Sequence, residues 1–137
     1  MKKKFKCLII GYGSIGKRHA QNFFDLNCEI FIFLRKKNKS LKNENYTFVY
    51  NLEKHIIDVD FVVISTDTNF HTKFILICLN HKKNIYLEKP ITHKNNDLKK
   101  IESHKNFKKI KIQIGCQFRS DPQVSKIKYL IKNNNLG

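Results

Sequence analysis

Gly11-Tyr12-Gly13-Ser14-Ile15-Gly16-Lys17-Arg18-His19 is the stretch that decides how this chain folds. An apolar run from Phe5 to Ile10 precedes it and reads as a buried parallel strand. A helical pattern from Ile15 to about Leu26 follows. Strand, G-x-G-x-x-G, helix is the context in which this spacing carries chemistry. Gly11 allows a tight turn off the strand. Gly13 has no Cβ, so a pyrophosphate can approach the backbone, and Gly16 lets the helix pack close to the strand. Free N–H groups and the positive dipole end of the helix then hold the anion. Gly11, Tyr12, Gly13, Ser14, Ile15 and Gly16 are therefore candidate cofactor-binding residues for a dinucleotide. The plain alternative is a glycine-rich βα turn with no ligand.

Outward from this turn, continuous apolar strands alternate with helical segments. Glu29–Leu34 is a second strand, and 36–45 reads as a polar loop. Tyr46–Tyr50 is a third strand, followed by a short helix at Leu52–Ile57. Asp60–Ser65 is the fourth strand, followed by a helix running to about Asn80 that Thr68 or Asn69 can cap. Asn84–Leu87 is the fifth strand, and a polar helix is expected from Thr92 to about Lys105. Ile110–Cys116 alternates and reads as a sixth, edge-like strand. Pro122 opens a last helix marked by Val124, Ile127, Leu130 and Ile131, with a helix stop at 133–137. This order predicts an α/β fold: one Rossmann-type, doubly wound parallel sheet of about six strands in a three-layer α/β/α single domain.

Three places at the carboxyl ends of these strands carry candidate chemistry. A carboxylate at the end of the second strand would accept from the ribose 2′-OH of NAD. Here the position falls on Arg35, followed by Lys36 and Lys37, with no acid before Glu44. A guanidinium suits the 2′-phosphate of NADP, so the expected cofactor is NAD(P) with NADP slightly favoured over NAD; the alternative is a solvated basic loop. Ser65-Thr66-Asp67-Thr68-Asn69-Phe70-His71 places small polar residues where open α/β sheets bind ligands. Glu88-Lys89-Pro90 ends the fifth strand. Pro90 donates no N–H and disfavours helix at Lys89, which gives a stiff turn aiming Lys89 off the carboxyl edge. A lysine there, beside a cationic nicotinamide, could relay a proton; in a Lys-rich chain an exposed surface lysine is the alternative.

Composition narrows the class. The chain has 137 residues, 41% of them hydrophobic, which suits one domain. Its net charge of +16 comes from 27 basic and 11 acidic residues, spread along the chain and often beside Asn. Without aromatic interleaving, this bias does not predict specific nucleic-acid binding, although weak attraction to polyanions is consistent with it. No run approaches a membrane span, and no membrane partner is expected. Cys7, Cys28, Cys78 and Cys116 form no C-x-x-C pair, so buried free thiols in a reducing cytoplasm are expected.

Taken in order, Gly11 to His19, Ser65 to His71 and Glu88-Lys89-Pro90 resemble the N-terminal half of the Gfo/Idh/MocA oxidoreductases, which include glucose–fructose oxidoreductase and inositol dehydrogenase. Gly115-Cys116-Gln117-Phe118-Arg119-Ser120-Asp121-Pro122 is similar to that family's passage out of the nucleotide domain. The resemblance implies an NAD(P)-dependent oxidoreductase acting on a sugar, sugar nucleotide or cyclitol by hydride transfer. It implies that Gly11, Gly13 and Gly16 hold the pyrophosphate, that Ser65, Thr66, Asn69 and His71 lie along the cofactor, and that Glu88 sits near the nicotinamide ribose. Lys89 matches the family's active-site lysine. Two residues depart from the pattern: Arg35 replaces an acid, and Asp67 stands where the family often has proline.

The resemblance also implies a division into residues 1–121, the NAD(P)-binding domain, and 122–137, the start of a linker helix to a substrate domain that this chain lacks. A fragment, a split gene or a truncated reading frame would each account for that. The expected partners are a small sugar-type substrate and, through the face left by the missing domain, a second copy or a complementing chain. The alternative function is a stand-alone nucleotide-binding module, inactive or needing a partner chain.

Overall fold

Strands that are apolar on both sides must be covered on both faces, and parallel neighbours must be joined by crossovers. The computed structural model of the chain, which describes residues 4–37 and 40–133, meets both demands. Its strands are β1 (Lys6–Ile10), β2 (Glu29–Phe33), β3 (Tyr46–Val49), β4 (Phe61–Ile64), β5 (Asn84–Leu87) and β6 (Ile112–Ile114). They form one sheet in the order β3-β2-β1-β4-β5-β6, and every neighbouring pair is parallel. The helices are α1 (Ser14–Asp25), α2 (Leu52–Ile56), α3 (His71–Asn80), α4 (Asn95–Glu102) and α5 (Pro122–Lys132).

The two faces are read from the alternation of β1. Leu8 and Ile10 share a core with Leu52 and Ile56 of α2, Phe74, Ile75, Cys78 and Leu79 of α3, and Ile101 of α4. Cys7 and Ile9 face the other way, into a smaller core with Ala20, Phe23 and Phe24 of α1. The strand order reverses between β1 and β4, and in such sheets the crevice outside the strands' carboxyl ends is where ligands bind.

Several local expectations are corrected. Phe5 lies outside β1 and is 65% exposed. The helix expected from Thr92 is shorter at both ends: Thr92 Oγ1 accepts the Lys94 N–H in a turn, and the N–H of His104 closes onto Ile101 after Glu102. Neither Thr68 nor Asn69 caps α3; instead residues Thr68–Phe70 form a 3₁₀ turn that leads into it without a side-chain cap. Ladder bonding shortens the sixth strand to three residues, paired to β5 alone. Cys7 and Cys78 are buried as expected, but Cys28 is half-buried and Cys116 exposed, because both lie beyond strand ends; all four are free thiols. The helix stop lies at Asn133, and 134–137 fall outside the described residues, as do 38 and 39 of the polar loop.

Candidate functional site

The sheet's hydrogen-bond ladder continues one residue past the strands, and this assembles the site. Ser65 N–H donates to Ile10 O at 2.9 Å, Glu88 N–H to Ile64 O at 2.9 Å, and Gly115 N–H to Leu87 O at 2.8 Å. The residues just beyond β1, β4, β5 and β6 are thereby held in one row along the carboxyl edge.

The three glycines of the first turn differ in what holds them. Gly11 has φ +102°, a conformation that L side chains rarely adopt, and an added Cβ would lie 2.7 Å from Ser65 O. A Cβ on Gly16 would fall 1.9 Å from Gly11 O, so α1 sits against the turn with no room to spare. Gly13 has no atom within 4 Å of its would-be Cβ. It is the N-cap of α1, where no side chain caps the helix and no acid stands in the first turn. An open cradle above an uncapped, positively polarised helix end fits a dinucleotide pyrophosphate. Ser14 and Ile15 are exposed on that first turn. Tyr12 packs edge-on against Phe48 at 5.6 Å, and burial raises its hydroxyl pKa above the ordinary phenol value.

A crevice of about 320 Å³ opens between the ends of β1, β2 and β4, lined by Gly11 to Gly13, Leu34, Arg35, Ser65 to Asp67 and Phe70. Ser65 Oγ donates to Gly11 O at 2.9 Å, so its hydroxyl pins the glycine turn. Thr66 is half-buried in the crevice wall, and Asn69 is exposed on the 3₁₀ turn. Arg35 reaches across from the end of β2, its Cζ 5.0 Å from the centroid of the Phe70 ring, a cation–π contact at the crevice mouth.

The edge farther along holds the remaining candidates. Lys89 and Pro90 are exposed. Glu88 Oε1 lies 2.7 Å from Nε2 of His19, which is nearly buried on α1. Tyr86 sets its ring edge-on to His19 at 5.1 Å; burial first, then the charges of Glu88 and Cys116, raise its hydroxyl pKa. Both ring nitrogens of His71, 1% exposed, face carbonyl oxygens: Nδ1 is 2.8 Å from Pro90 O and Nε2 is 2.9 Å from Thr66 O. Because both oxygens are acceptors, a neutral ring donates to one of them, while only a ring carrying both protons donates to both. The His71 ring therefore sits between the two loops, with both nitrogens directed at backbone carbonyls.

Sequence reasoning assigned no role to His19 or Phe70. The signal for His19 was its place three residues after Gly16, on the buried side of α1; nothing local marked Phe70 as the partner of Arg35. Among the described residues no group of three or more His, Cys, Asp or Glu could hold a metal ion. No helix there is long and apolar enough to cross a membrane.

With this geometry in view, comparison with known proteins is informative. The Gfo/Idh/MocA family, described as an oxidoreductase family with an NAD-binding Rossmann fold, matches residues 5–115. An uncharacterized oxidoreductase, YrbE, of Bacillus subtilis is 28% identical over 145 aligned positions, covering 100% of this chain and 42% of its own length. Myo-inositol 2-dehydrogenase of Thermotoga maritima is 25% identical, covering 94% of this chain and 41% of its own. The crystal structure of myo-inositol 2-dehydrogenase from Lactobacillus plantarum superposes with a TM-score of 0.80 at 26% identity, over 98% of this chain and 43% of that one. The chain thus spans less than half the length of these relatives.

Proposed function

The chain belongs to the Gfo/Idh/MocA oxidoreductase family, and from that premise we propose that it is the cofactor-binding half of an NAD(P)-dependent oxidoreductase of cyclitols, sugars or sugar nucleotides. The observation that carries this reading is the pairing of an uncapped α1 start at Gly13, open for a pyrophosphate, with Lys89 on the same sheet edge. The inositol dehydrogenases among its relatives support a cyclitol or sugar as substrate. A bound nicotinamide supplies the hydride chemistry. The chain's own residues do the rest. Backbone N–H groups at the start of α1 hold the diphosphate. Ser65, through Gly11 O, keeps that turn in shape. Thr66 and Asn69 line the approach, and Glu88 stands by the ribose. Lys89 holds and relays the proton at the substrate oxygen. Residues 1–121 form the cofactor domain, and 122–137 lead out of it.

Arg35 favours NADP over NAD. Its guanidinium stands at the crevice mouth, followed in sequence by Lys36 and Lys37, and the acid that lines the same crevice, Asp67, comes from the loop after β4 rather than from the end of β2. The free thiols suit a reducing cytoplasm.

Calorimetry on the purified chain tests this reading. NADPH is expected to bind more tightly than NADH, at micromolar strength or weaker, about 8 kcal/mol or less. Arg35→Asp is expected to reduce or reverse the preference. Equal affinities in the wild type would remove the NADP assignment, and no binding of either would remove the cofactor reading. Lys89→Ala is expected to leave affinity nearly unchanged. Hydride transfer needs the substrate carbon aligned and water excluded, which an exposed lysine on an open edge does not supply. Turnover of inositols or sugars by this chain alone is therefore expected to be negligible, and robust turnover would overturn that expectation.

A further inference from the structure

Lys89 has no side-chain partner of its own among the described residues, so its place is set by the backbone on either side of it. Both neighbours are held by histidines. His19 comes from α1 on one face of the sheet and meets Glu88 Oε1 at 2.7 Å; it is 9% exposed. His71 begins α3 on the other face, is 1% exposed, and meets Pro90 O at 2.8 Å and Thr66 O at 2.9 Å. We infer that His19 and His71 are positioning residues that fix Lys89 relative to the cofactor crevice, an inference that rests on the role proposed above for Lys89.

Placing an imidazole in the core costs free energy unless its nitrogens are bonded. An apolar side chain of similar size would fill either position more cheaply, so the bonded nitrogens are what distinguish histidine there. Each histidine also belongs to an element that shapes the cofactor crevice. His19 lies on the buried side of α1, three residues past Gly16, so Glu88 is tied to the helix whose start faces the phosphates. His71 ties Pro90 to Thr66 in the crevice wall. A residue flanked by these two links is placed against the cofactor by two elements from opposite faces of the sheet.

The two carbonyl contacts of His71 can be separated chemically, whichever nitrogen of the neutral ring carries the proton. An asparagine amide nitrogen stands near the place of Nδ1, and a glutamine amide nitrogen near that of Nε2. His71→Asn therefore keeps the link to Pro90 and loses the link to Thr66, while His71→Gln does the reverse. The experiment is acylation of the full chain with an amine-reactive ester, with and without saturating NADPH, read by mass spectrometry on the tryptic peptide 84–94. Trypsin leaves Lys89 uncut because Pro90 follows it. Calorimetry supplies the NADPH affinity of each variant.

In the wild type, NADPH is expected to protect Lys89. His71→Gln is expected to lose that protection at near wild-type affinity. His71→Asn is expected to keep the protection and bind NADPH up to about tenfold more weakly, the effect of one hydrogen bond. On the other face, His19→Gln retains an amide donor for Glu88 and is expected to keep protection, whereas His19→Leu is expected to lose it. The crossed pattern is one that loss of packing alone would not produce. Protection that survives in both His71→Gln and His19→Leu overturns this inference alone, as does identical behaviour of the two His71 variants. NADPH binding without protection of wild-type Lys89 overturns the assignment of Lys89 and this inference together.

Discussion

Helices α1 and α5 are nearly the same length, 12 and 11 residues, and are held in opposite ways. Helix α5 has every local aid to a helix start. Asp121 accepts from the N–H groups of Gln123 and Val124 at 2.7 and 3.3 Å, and Pro122 occupies the first turn. It nevertheless buries no residue, and Ile127, Tyr129 and Ile131 are at least half exposed. Helix α1 has no side-chain cap, no acid in its first turn and a glycine inside it, yet it buries Gly16, His19 and Ala20 against the sheet. With no side chain capping its first N–H groups, α1 draws its stability from packing. Helix α5 has its first N–H groups satisfied by Asp121 and buries no residue.

The comparison can be broken most severely at Gly16. A Cβ there would overlap the backbone of Gly11, so Gly16→Ala is expected to cost more than about 4 kcal/mol in urea unfolding, in the exceptional range for one substitution. A loss below 1 kcal/mol would show that α1 does not depend on this close approach.

Alkaline pH tests the packed side next. Burial pushes the Cys78 thiol from 9.0 up to about 12, and burial, reinforced by Cys28, raises that of Cys7 as well. A raised folded-state value means the fold prefers the neutral thiol. Stability from this source is complete below about pH 9 and falls as the pH climbs toward 12, because only the unfolded chain releases the proton. Cys78 alone is expected to remove on the order of 3 kcal/mol by pH 11. Chemical unfolding at pH 8 and pH 11 measures the loss, and Cys78→Ala should flatten the slope. A slope unchanged by that substitution would contradict the assignment.

A smaller effect is expected at the cap of α5. Asp121→Ala should cost about 1 kcal/mol, typical of a lost N-cap. Because α5 buries nothing, the loss should appear as faster amide exchange within 122–132, with the global unfolding midpoint unchanged. A shift of the global midpoint would mean that α5 is packed more firmly than its exposure shows.

The smallest effect on stability is expected at Gly13. With φ −75° and open space around it, Gly13→Ala should change stability by no more than about 0.5 kcal/mol, like other surface substitutions. NADPH binding, in contrast, should weaken by tenfold or more, because the methyl would occupy the path proposed for the phosphates. A variant that binds normally would remove Gly13 from the site.

Much of this was legible in the sequence because it is local. The continuous apolar runs of β1, β2 and β4 announced strands covered on both faces, and the glycine spacing announced the turn between β1 and α1. Pro122 marked the start of α5 in advance, while the Asp121 cap emerged only in the structure. What failed was also local in cause: the Thr92 turn delayed α4, and a 3₁₀ turn replaced the expected cap at Thr68 or Asn69. The candidate site was legible only residue by residue. His71 was read as lying along the cofactor, and nothing local showed that its nitrogens would face Thr66 O and Pro90 O.

By itself, then, the sequence determined which segments become strands and helices, and that a glycine turn at Gly11 to Gly16 would lead from β1 into α1. Those properties depend on side-chain periodicity, on backbone freedom and on residues a few positions apart. Only the tertiary structure decided that His19 meets Glu88 across 69 residues, that Arg35 lies over Phe70, and that His71 joins two loops. The order of the strands in the sheet brings those partners together, and no pattern within a single segment encodes a contact made across it.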